Sequence, residues 1–164
     1  MIEIRRLHPG DAQALWELRM ESLREAPLAF GEHHTEHALV SADAIAARLA
    51  LTESFVYGAF DGPGLVGMAG FYRSTQKNRR HTGHIWGVYV QGSYRGQGLS
   101  RRLVATLIAE ARKLSGVELV LLSVTQPEAR ALYVNLGFQA YGYLTHALIV
   151  DGQSVNEELM SLSL

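Results

Sequence analysis

The feature that most constrains this chain is a glycine-rich turn between an apolar strand and an amphipathic helix. Residues 88–90 (Val-Tyr-Val) are of types that favour a half-buried strand, and three glycines follow within residues 92–98. From Leu99 the apolar residues recur at steps of three and four, as in a helix. Free N–H groups at the beginning of a helix attract anions, and Arg95 adds positive charge beside them. The stretch therefore predicts a site for a phosphate or pyrophosphate.

Two other phosphate-binding motifs do not fit this turn. A P-loop requires a lysine on the β- and γ-phosphates, and no lysine lies between Lys77 and Lys113. The dinucleotide fingerprint would place its third glycine at Arg101, whose side chain blocks close packing of the helix on the strand. A nucleotide phosphotransferase is therefore disfavoured. The remaining pattern is Arg-x-x-Gly-x-Ser over residues 95–100.

Composition narrows the class of protein further. A chain of 164 residues, 48% hydrophobic and 19% charged, predicts one globular domain over residues 1–164. A net charge of −1 gives no support for nonspecific nucleic-acid binding. Without cysteine the chain has no disulfide framework, thiolate zinc site or cysteine nucleophile. No signal peptide or long apolar span is evident, so we expect a soluble cytoplasmic protein that does not bind membranes.

Periodicity and turn signals predict the element order β-α-α-β-β-β-α-β-α-β-β. Asp11 and Ser41 are expected to cap the first two helices, and Pro127 to begin the last one. Gly137 is expected to end that helix, and residues 151–152 (Asp-Gly) to form the turn of a final hairpin.

Two motifs resemble the GNAT superfamily of acyl-CoA-dependent N-acyltransferases. The family's pyrophosphate loop reads Gln/Arg-x-x-Gly-x-Gly/Ala: Arg95 and Gly98 match, whereas Ser100 stands where glycine or alanine is usual. Residues 131–138 (Ala-Leu-Tyr-Val-Asn-Leu-Gly-Phe) look like the later family motif Leu-Tyr-x-x-x-Gly-Phe. The resemblance is clearest over residues 82–144. It implies an α/β fold with a mixed, mostly antiparallel sheet of about seven strands, four helices and splayed central strands.

The resemblance also implies acetyl-CoA as co-substrate. Its pantetheine arm would lie in the gap beside the strand before the loop, and its pyrophosphate would bind the loop N–H groups. Gln126 stands where many family members have an asparagine that contacts the cofactor. The implied cofactor-binding residues are Val88, Tyr89, Val90, Arg95, Gly96, Gln97, Gly98, Leu99, Ser100 and Gln126.

Two side chains are candidates for catalysis. Tyr133 matches the family tyrosine that protonates the leaving thiolate, and a phenol with a pKa of about 10 suits a thiol with a pKa of about 8.5. The amine must lose a proton before it attacks, and His84 is the one side chain on the central strand that titrates near neutral pH. Strand alternation is expected to place His84 on the same side as Trp86, Val88 and Val90.

The segment over residues 27–40 corresponds to the part of the family that lines the acceptor site. Phe30, Glu32 and His33 are therefore candidate substrate contacts. His33 and His37 would lie one turn apart on a helix, but no third metal ligand is evident and the family chemistry requires none. We expect this histidine cluster to be a solvated loop or helix face.

These observations predict an N-acetyltransferase that moves an acetyl group from acetyl-CoA to a primary amine by direct attack. Small amines, amino acids, amine-bearing antibiotics and a protein N-terminus are all open as acceptors. The alternative is a noncatalytic acyl-CoA-binding or sensing domain of the same fold. The last strands of this fold often pair between subunits, so a homodimer is also open.

Overall fold

The computed structural model describes residues 1–164 as a seven-stranded sheet with helices on both faces. The strands are β1 (Ile2–Arg6), β2 (Ser54–Asp61), β3 (Gly64–Arg73), β4 (Thr82–Val90), β5 (Leu119–Val124), β6 (Gln139–Val150) and β7 (Gln153–Ser163). The helices are α1 (Ala12–Glu25), α2 (His34–His37), α3 (Ala42–Leu49), α4 (Leu99–Lys113) and α5 (Pro127–Asn135). The predicted element order is confirmed, with the four-residue α2 as an addition.

The sheet is splayed at its centre, as predicted. Its strand order is β1-β2-β3-β4-β5-β7-β6, and β4 with β5 is the one parallel pair. That pair is short, because only Thr82–His84 of β4 aligns with Leu119–Leu121 of β5. Beyond His84 the two strands separate, which leaves a gap that widens toward the glycine turn.

Each face of the sheet covers its own hydrophobic core. Helix α4 packs across β2, β3 and β4, and its buried Leu103 and Leu107 anchor the larger core together with Phe71. Helices α1 and α3 cover the opposite face, where Leu15 and Ile45 belong to a second cluster.

Strand β4 contains a bulge that the alternation pattern did not predict. Its pairing with β3 shifts between Met68 and Gly70, so Gly87 and Val88 together lie opposite one β3 residue. Gly87 has φ +63°, a conformation that favours glycine. The extra residue reverses the faces: Val88 and Val90 pack into the α4 core, whereas Trp86 faces α1. The expectation that His84 shares a side with both valines was therefore wrong.

The predicted caps are confirmed with one change. Ser41 Oγ accepts a hydrogen bond from the N–H of Ala44, and Pro127 begins α5. Asp11 lies at the N-cap of α1 but does not cap it, because its carboxylate accepts bonds from Arg5 and from the His8 N–H.

The last hairpin closes at Asp151-Gly152, both with positive φ, as expected for this dipeptide. Its strand β6 is the free edge of the sheet and exposes Tyr141, Tyr143, Leu144 and Ile149. Pairing of two copies stays a prediction. No helix is long and apolar enough to cross a membrane.

Candidate active site

The glycine turn presents uncapped amides at the start of α4. Gly96 and Gly98 have φ of +77° and +74°, and Gly98 occupies the N-cap position. Glycine has no side chain to accept from the first-turn N–H groups, so those of Leu99 and Ser100 are open to a ligand. A helix N-terminus in this state favours phosphate oxygens.

Arg95 does not extend freely toward that anion site. Its Nε donates to the carbonyl of Val90 at 2.9 Å, and its Nη2 donates to a Glu25 carboxylate oxygen at 2.8 Å. The guanidinium also lies 5.6 Å from the ring of Tyr89. Arg95 thus ties the turn to the end of β4 and to α1, and part of its charge is compensated.

Only the backbone of Tyr89 can contact a ligand in the gap between β4 and β5. Its side chain is buried in the α1 core, and its hydroxyl donates to Glu21 at 3.0 Å and to Glu25. Burial and these carboxylates raise the pKa of Tyr89 well above its ordinary value, so the phenol stays neutral. Glu25 therefore joins Tyr89 and Arg95 into one support for the turn.

The gap between β4 and β5 contains a narrow cavity of about 90 Å³. Its walls are the bulge of β4 at Gly87–Val88, the end of β5, and the first turn of α5 with Gln126. Thr125 Oγ1 also lies in this wall, buried without a hydrogen-bond partner. A buried polar atom without a partner costs stability, so Thr125 is a candidate contact for an amide-bearing ligand.

Tyr133 lies against this gap. It is 7% exposed, and its ring packs edge-on against Phe138 with centroids 5.9 Å apart. Burial raises the pKa of Tyr133 to about 12. The residue is therefore a weaker acid than the ordinary phenol assumed from the sequence, but it is fully protonated near neutral pH.

His84 lies where β4 and β5 begin to separate. Its Nε2 is 3.0 Å from Ser74 Oγ, and its ring stacks on Tyr72 at 4.6 Å. Burial, assisted by the positive charge of Arg79, lowers the pKa of His84, so its neutral form persists below the usual range. A neutral imidazole can accept a proton.

His84 opens into a cavity of about 440 Å³, which we call the histidine cavity. Arg19, Phe30, Trp86 and Glu157 also line it. Phe30 lines both this cavity and the narrow gap, and its role as a substrate contact stays a prediction.

A second space of about 380 Å³, the apolar cavity, lies between the sheet and the helices α1 and α3. Its apolar walls are Leu15, Ile45, Leu49, Phe55, Val56 and Phe71. Arg19 and Trp86 line this cavity as well as the histidine cavity, so the two spaces meet there. Gly70 makes room for the indole, because a Cβ at that position would lie 2.2 Å from Trp86.

The 27–40 segment divides between this site and other contacts. Glu32 and His37 line the apolar cavity, and His37 is 4% exposed and stacks on Trp16, so it is not on a solvated face as expected. His33 lies elsewhere: its ring nitrogens contact Thr35 and the Asp151 carboxylate in the β6–β7 turn. No group of three histidine, aspartate or glutamate side chains is arranged to hold a metal ion.

Sequence reasoning missed Arg19, Thr125 and Trp86 as site residues. Arg19 occurs among the polar residues of an amphipathic helix, where no local signal distinguishes a buried arginine from an exposed one. Gly87 did carry a signal, since a glycine inside a strand indicates a bulge or a close approach.

A sheet splayed at its one parallel pair, with a glycine turn and an uncapped helix N-terminus after β4 and a buried tyrosine beside the gap, is the arrangement of the GNAT class of acyltransferase fold. Residues 12–138 match the model of the Acetyltransferase (GNAT) family, and the chain belongs to that family. A comparison with curated proteins finds no match.

Solved structures agree over the whole chain. A GNAT-family acetyltransferase from Streptococcus pneumoniae has a TM-score of 0.88 at 19% identity, and all of each chain is covered. The yncA protein from Salmonella typhimurium, solved with its cofactor acetyl-CoA, has a TM-score of 0.84 at 24% identity over 100% of this chain and 94% of its own. A ribosomal-protein-alanine N-acetyltransferase from Brucella melitensis has a TM-score of 0.84 at 25% identity over 99% of both chains.

Proposed function

We propose that this protein transfers an acetyl group from acetyl-CoA to a primary amine by direct attack. The observation that carries the proposal is the gap between β4 and β5. It joins an anion-binding turn to a buried tyrosine and leads to cavities that contain His84 and Glu32. The binding of acetyl-CoA in the Salmonella relative and the naming of the Brucella relative as an N-acetyltransferase support this assignment.

The residues around the gap fit the proposed donor. The N–H groups of residues 96–100 would hold the pyrophosphate, and Ser100 adds a hydroxyl near them. Backbone of Val88–Val90, Thr125 Oγ1 and Gln126 would meet the amides of the pantetheine arm. When bound, acetyl-CoA supplies an acetyl group activated as a thioester.

The side chains then divide the proton transfers. His84 accepts the proton that the amine must lose, directly or through one water. Backbone N–H near the bulge at Val88 polarises the carbonyl that the amine attacks. The departing sulfur receives a hydrogen bond from Tyr133 as its negative charge develops. The chain has no cysteine to form a cysteine acyl-enzyme, which favours direct attack.

The raised pKa of Tyr133 defines its part in this step. A phenol with a pKa of about 12 is a weaker acid than a thiol with a pKa of about 8.5, so it cannot protonate a relaxed thiolate completely. It can donate a strong hydrogen bond to sulfur while the negative charge develops. Tyr133 therefore assists departure as a hydrogen-bond donor and keeps its own proton, and the released CoA thiolate takes a proton from solvent.

The test is a thiol-release assay over a diverse amine library with the Tyr133→Phe variant. We expect kcat to fall about 100-fold, as for loss of one hydrogen-bond donor to a developing negative charge, with the acetyl-CoA Kd within about twofold of the wild type. Tyr57→Phe is the matched control, since Tyr57 packs against the same core from β2. Equal turnover in Tyr133→Phe would remove this residue from the mechanism. CoA binding without thiol release from any amine would favour a noncatalytic acyl-CoA-binding domain.

A further inference from the structure

Arg19 is a buried arginine whose hydrogen bonds are incomplete. The residue is 8% exposed and lies on the side of α1 that faces the bulge of β4. Its guanidinium packs over the ring of Phe30 at 4.7 Å and over that of Trp86 at 5.5 Å. The aromatic rings pack against the flat faces of the guanidinium. Its N–H groups point outward within the guanidinium plane, so they still need hydrogen-bond acceptors.

Only one anionic group approaches these N–H groups. Glu32 Oε1 lies 3.5 Å from Arg19 Nε, within ion-pair range but without hydrogen-bond geometry. Arg19 Nη1 is buried and has no partner at all. Burial lowers the pKa of Arg19 and Glu32 partly offsets that effect, but an arginine remains charged near neutral pH. A buried charged donor without an acceptor is costly, and so its position carries information about a ligand.

The free Nη1 lies beside the proposed reaction centre. A Cβ built on Gly87 would be 3.5 Å from Nη1, so the guanidinium reaches the bulge whose backbone borders the gap. Arg19 also lines the histidine cavity with His84. An anion bound at Nη1 would therefore lie beside Gly87, which borders both the gap and the histidine cavity.

The carboxylate of Glu32, beside Arg19, supplies the opposite charge. Glu32 Oε1 is also buried without a hydrogen bond, and it lies 3.2 Å from His37 Nδ1. His37 Nε2 donates to the carbonyl of Trp16 at 3.0 Å, which holds the ring in place. Arg19 and Glu32 both line the apolar cavity, and each has a buried charged atom, Nη1 and Oε1, that makes no hydrogen bond. A ligand that carries both charges can satisfy both residues without adding net charge to the site.

We propose that the acceptor is a free amino acid, whose carboxylate is bound by Arg19 Nη1 and whose ammonium group is first held by Glu32. The side chain of this amino acid then lies in the apolar cavity. Because the walls of that cavity are apolar, the side chain must be hydrophobic. This inference rests on the proposed function and names its substrate class. It separates a free amino acid from a protein N-terminus or a simple amine, neither of which has a carboxylate next to the amino group.

The experiment compares leucine with 3-methylbutylamine, which is leucine without its carboxylate, and with leucinamide. Thiol release from acetyl-CoA gives kcat/KM for each compound. We expect leucine to be preferred by about 100-fold, because the two analogues leave Arg19 unpaired. In Arg19→Met, which keeps a long side chain without the charge, the ratio should fall to near one. Arg48→Met is the control: it removes an exposed arginine from the rim of the same cavity and should keep the preference.

A second measurement does not depend on turnover. Calorimetric titration of leucine into CoA-loaded protein should show binding that leucinamide lacks and that Arg19→Met abolishes. Equal rates or equal binding for leucine and its two analogues in the wild type would overturn the inference, while acetylation of all three would still uphold the proposed function. Arg19-dependent leucine binding without any thiol release would uphold the carboxylate site and overturn the proposed function.

Discussion

The two halves of the candidate site differ in composition: one consists mainly of backbone groups and the other of side chains. The donor half consists of consecutive backbone, residues 88–100, where glycines permit a turn and the start of α4 leaves its amides open. The acceptor half consists of side chains from α1, the 27–40 segment, β3 and β4, which only the folded chain brings together. The gap beside Gly87 is where they meet.

Because of this difference, we expect the donor half to be tolerant of sequence changes and the acceptor half to determine substrate specificity. Backbone amides can bind a pyrophosphate whatever side chains surround them, so we expect the proposed donor half to tolerate changes such as serine at position 100. A cavity made of side chains recognises one shape and one set of charges. Substitutions in the two halves should therefore change different kinetic constants, and the following experiments test that separation.

The largest effect is expected at His84, where the acceptor half takes part in the chemistry. Because its pKa is lowered, the neutral base should persist as pH falls, and kcat/KM should decline only below the ordinary pKa of about 6.5. His84→Gln should lower kcat about 100-fold and remove that acidic limb from the pH profile. His81→Gln, at an exposed histidine just before β4, should change neither. An unaltered rate and pH profile in His84→Gln would assign the proton transfer to another group, with Glu157 in the same cavity as the next residue to test.

The comparison also explains which parts of the site could be predicted from the sequence. The turn, the helix that follows it and the tyrosine of α5 depend on neighbours a few residues away, so residue patterns predict them. Arg19 is defined by contacts with Trp86 and Glu32, which come from separate parts of the chain, and nothing near Arg19 in the sequence marks its burial. The bulge at Gly87 reversed the predicted faces of the valines because alternation assumes an uninterrupted strand.

A tenfold effect is expected from Gly98→Ala, which tests the donor half alone. Gly98 has φ +74° and an added Cβ would meet no atom within 4 Å, so the cost is backbone strain of about 1–2 kcal/mol. The turn should relax away from its ligand-ready shape, which raises the acetyl-CoA Kd by about tenfold. Gly62→Ala is the matched control, since that turn glycine has φ +55° and equally open surroundings. Both variants should lose similar stability in urea unfolding, and an unchanged Kd in Gly98→Ala would mean that the turn does not bind the donor.

The smallest effect, about fivefold, is expected from Gly70→Ala, which tests the acceptor half without removing a functional group. Here the constraint is space: the new Cβ would lie 2.2 Å from Trp86, so the indole must move and the wall beside Arg19 changes shape. Overpacking of this kind costs about 1–3 kcal/mol of stability. The acceptor KM should rise about fivefold while the acetyl-CoA Kd stays within about twofold, since side chains adjust to part of the strain.

Gly58→Ala separates this local effect from general destabilisation. Its Cβ would lie 2.5 Å from Leu65 and 2.6 Å from Leu7, and neither of these leucines lines either cavity, so stability should fall without a change in acceptor KM. If Gly70→Ala altered donor and acceptor constants equally, the two halves would be mechanically coupled through β4. Such coupling could pass from Trp86 to the bulge at Gly87, which is the next residue of the strand. It would contradict the expectation that the two halves respond separately to substitution. A change confined to the acceptor KM means instead that the bulge isolates the donor backbone from side-chain movements one residue away.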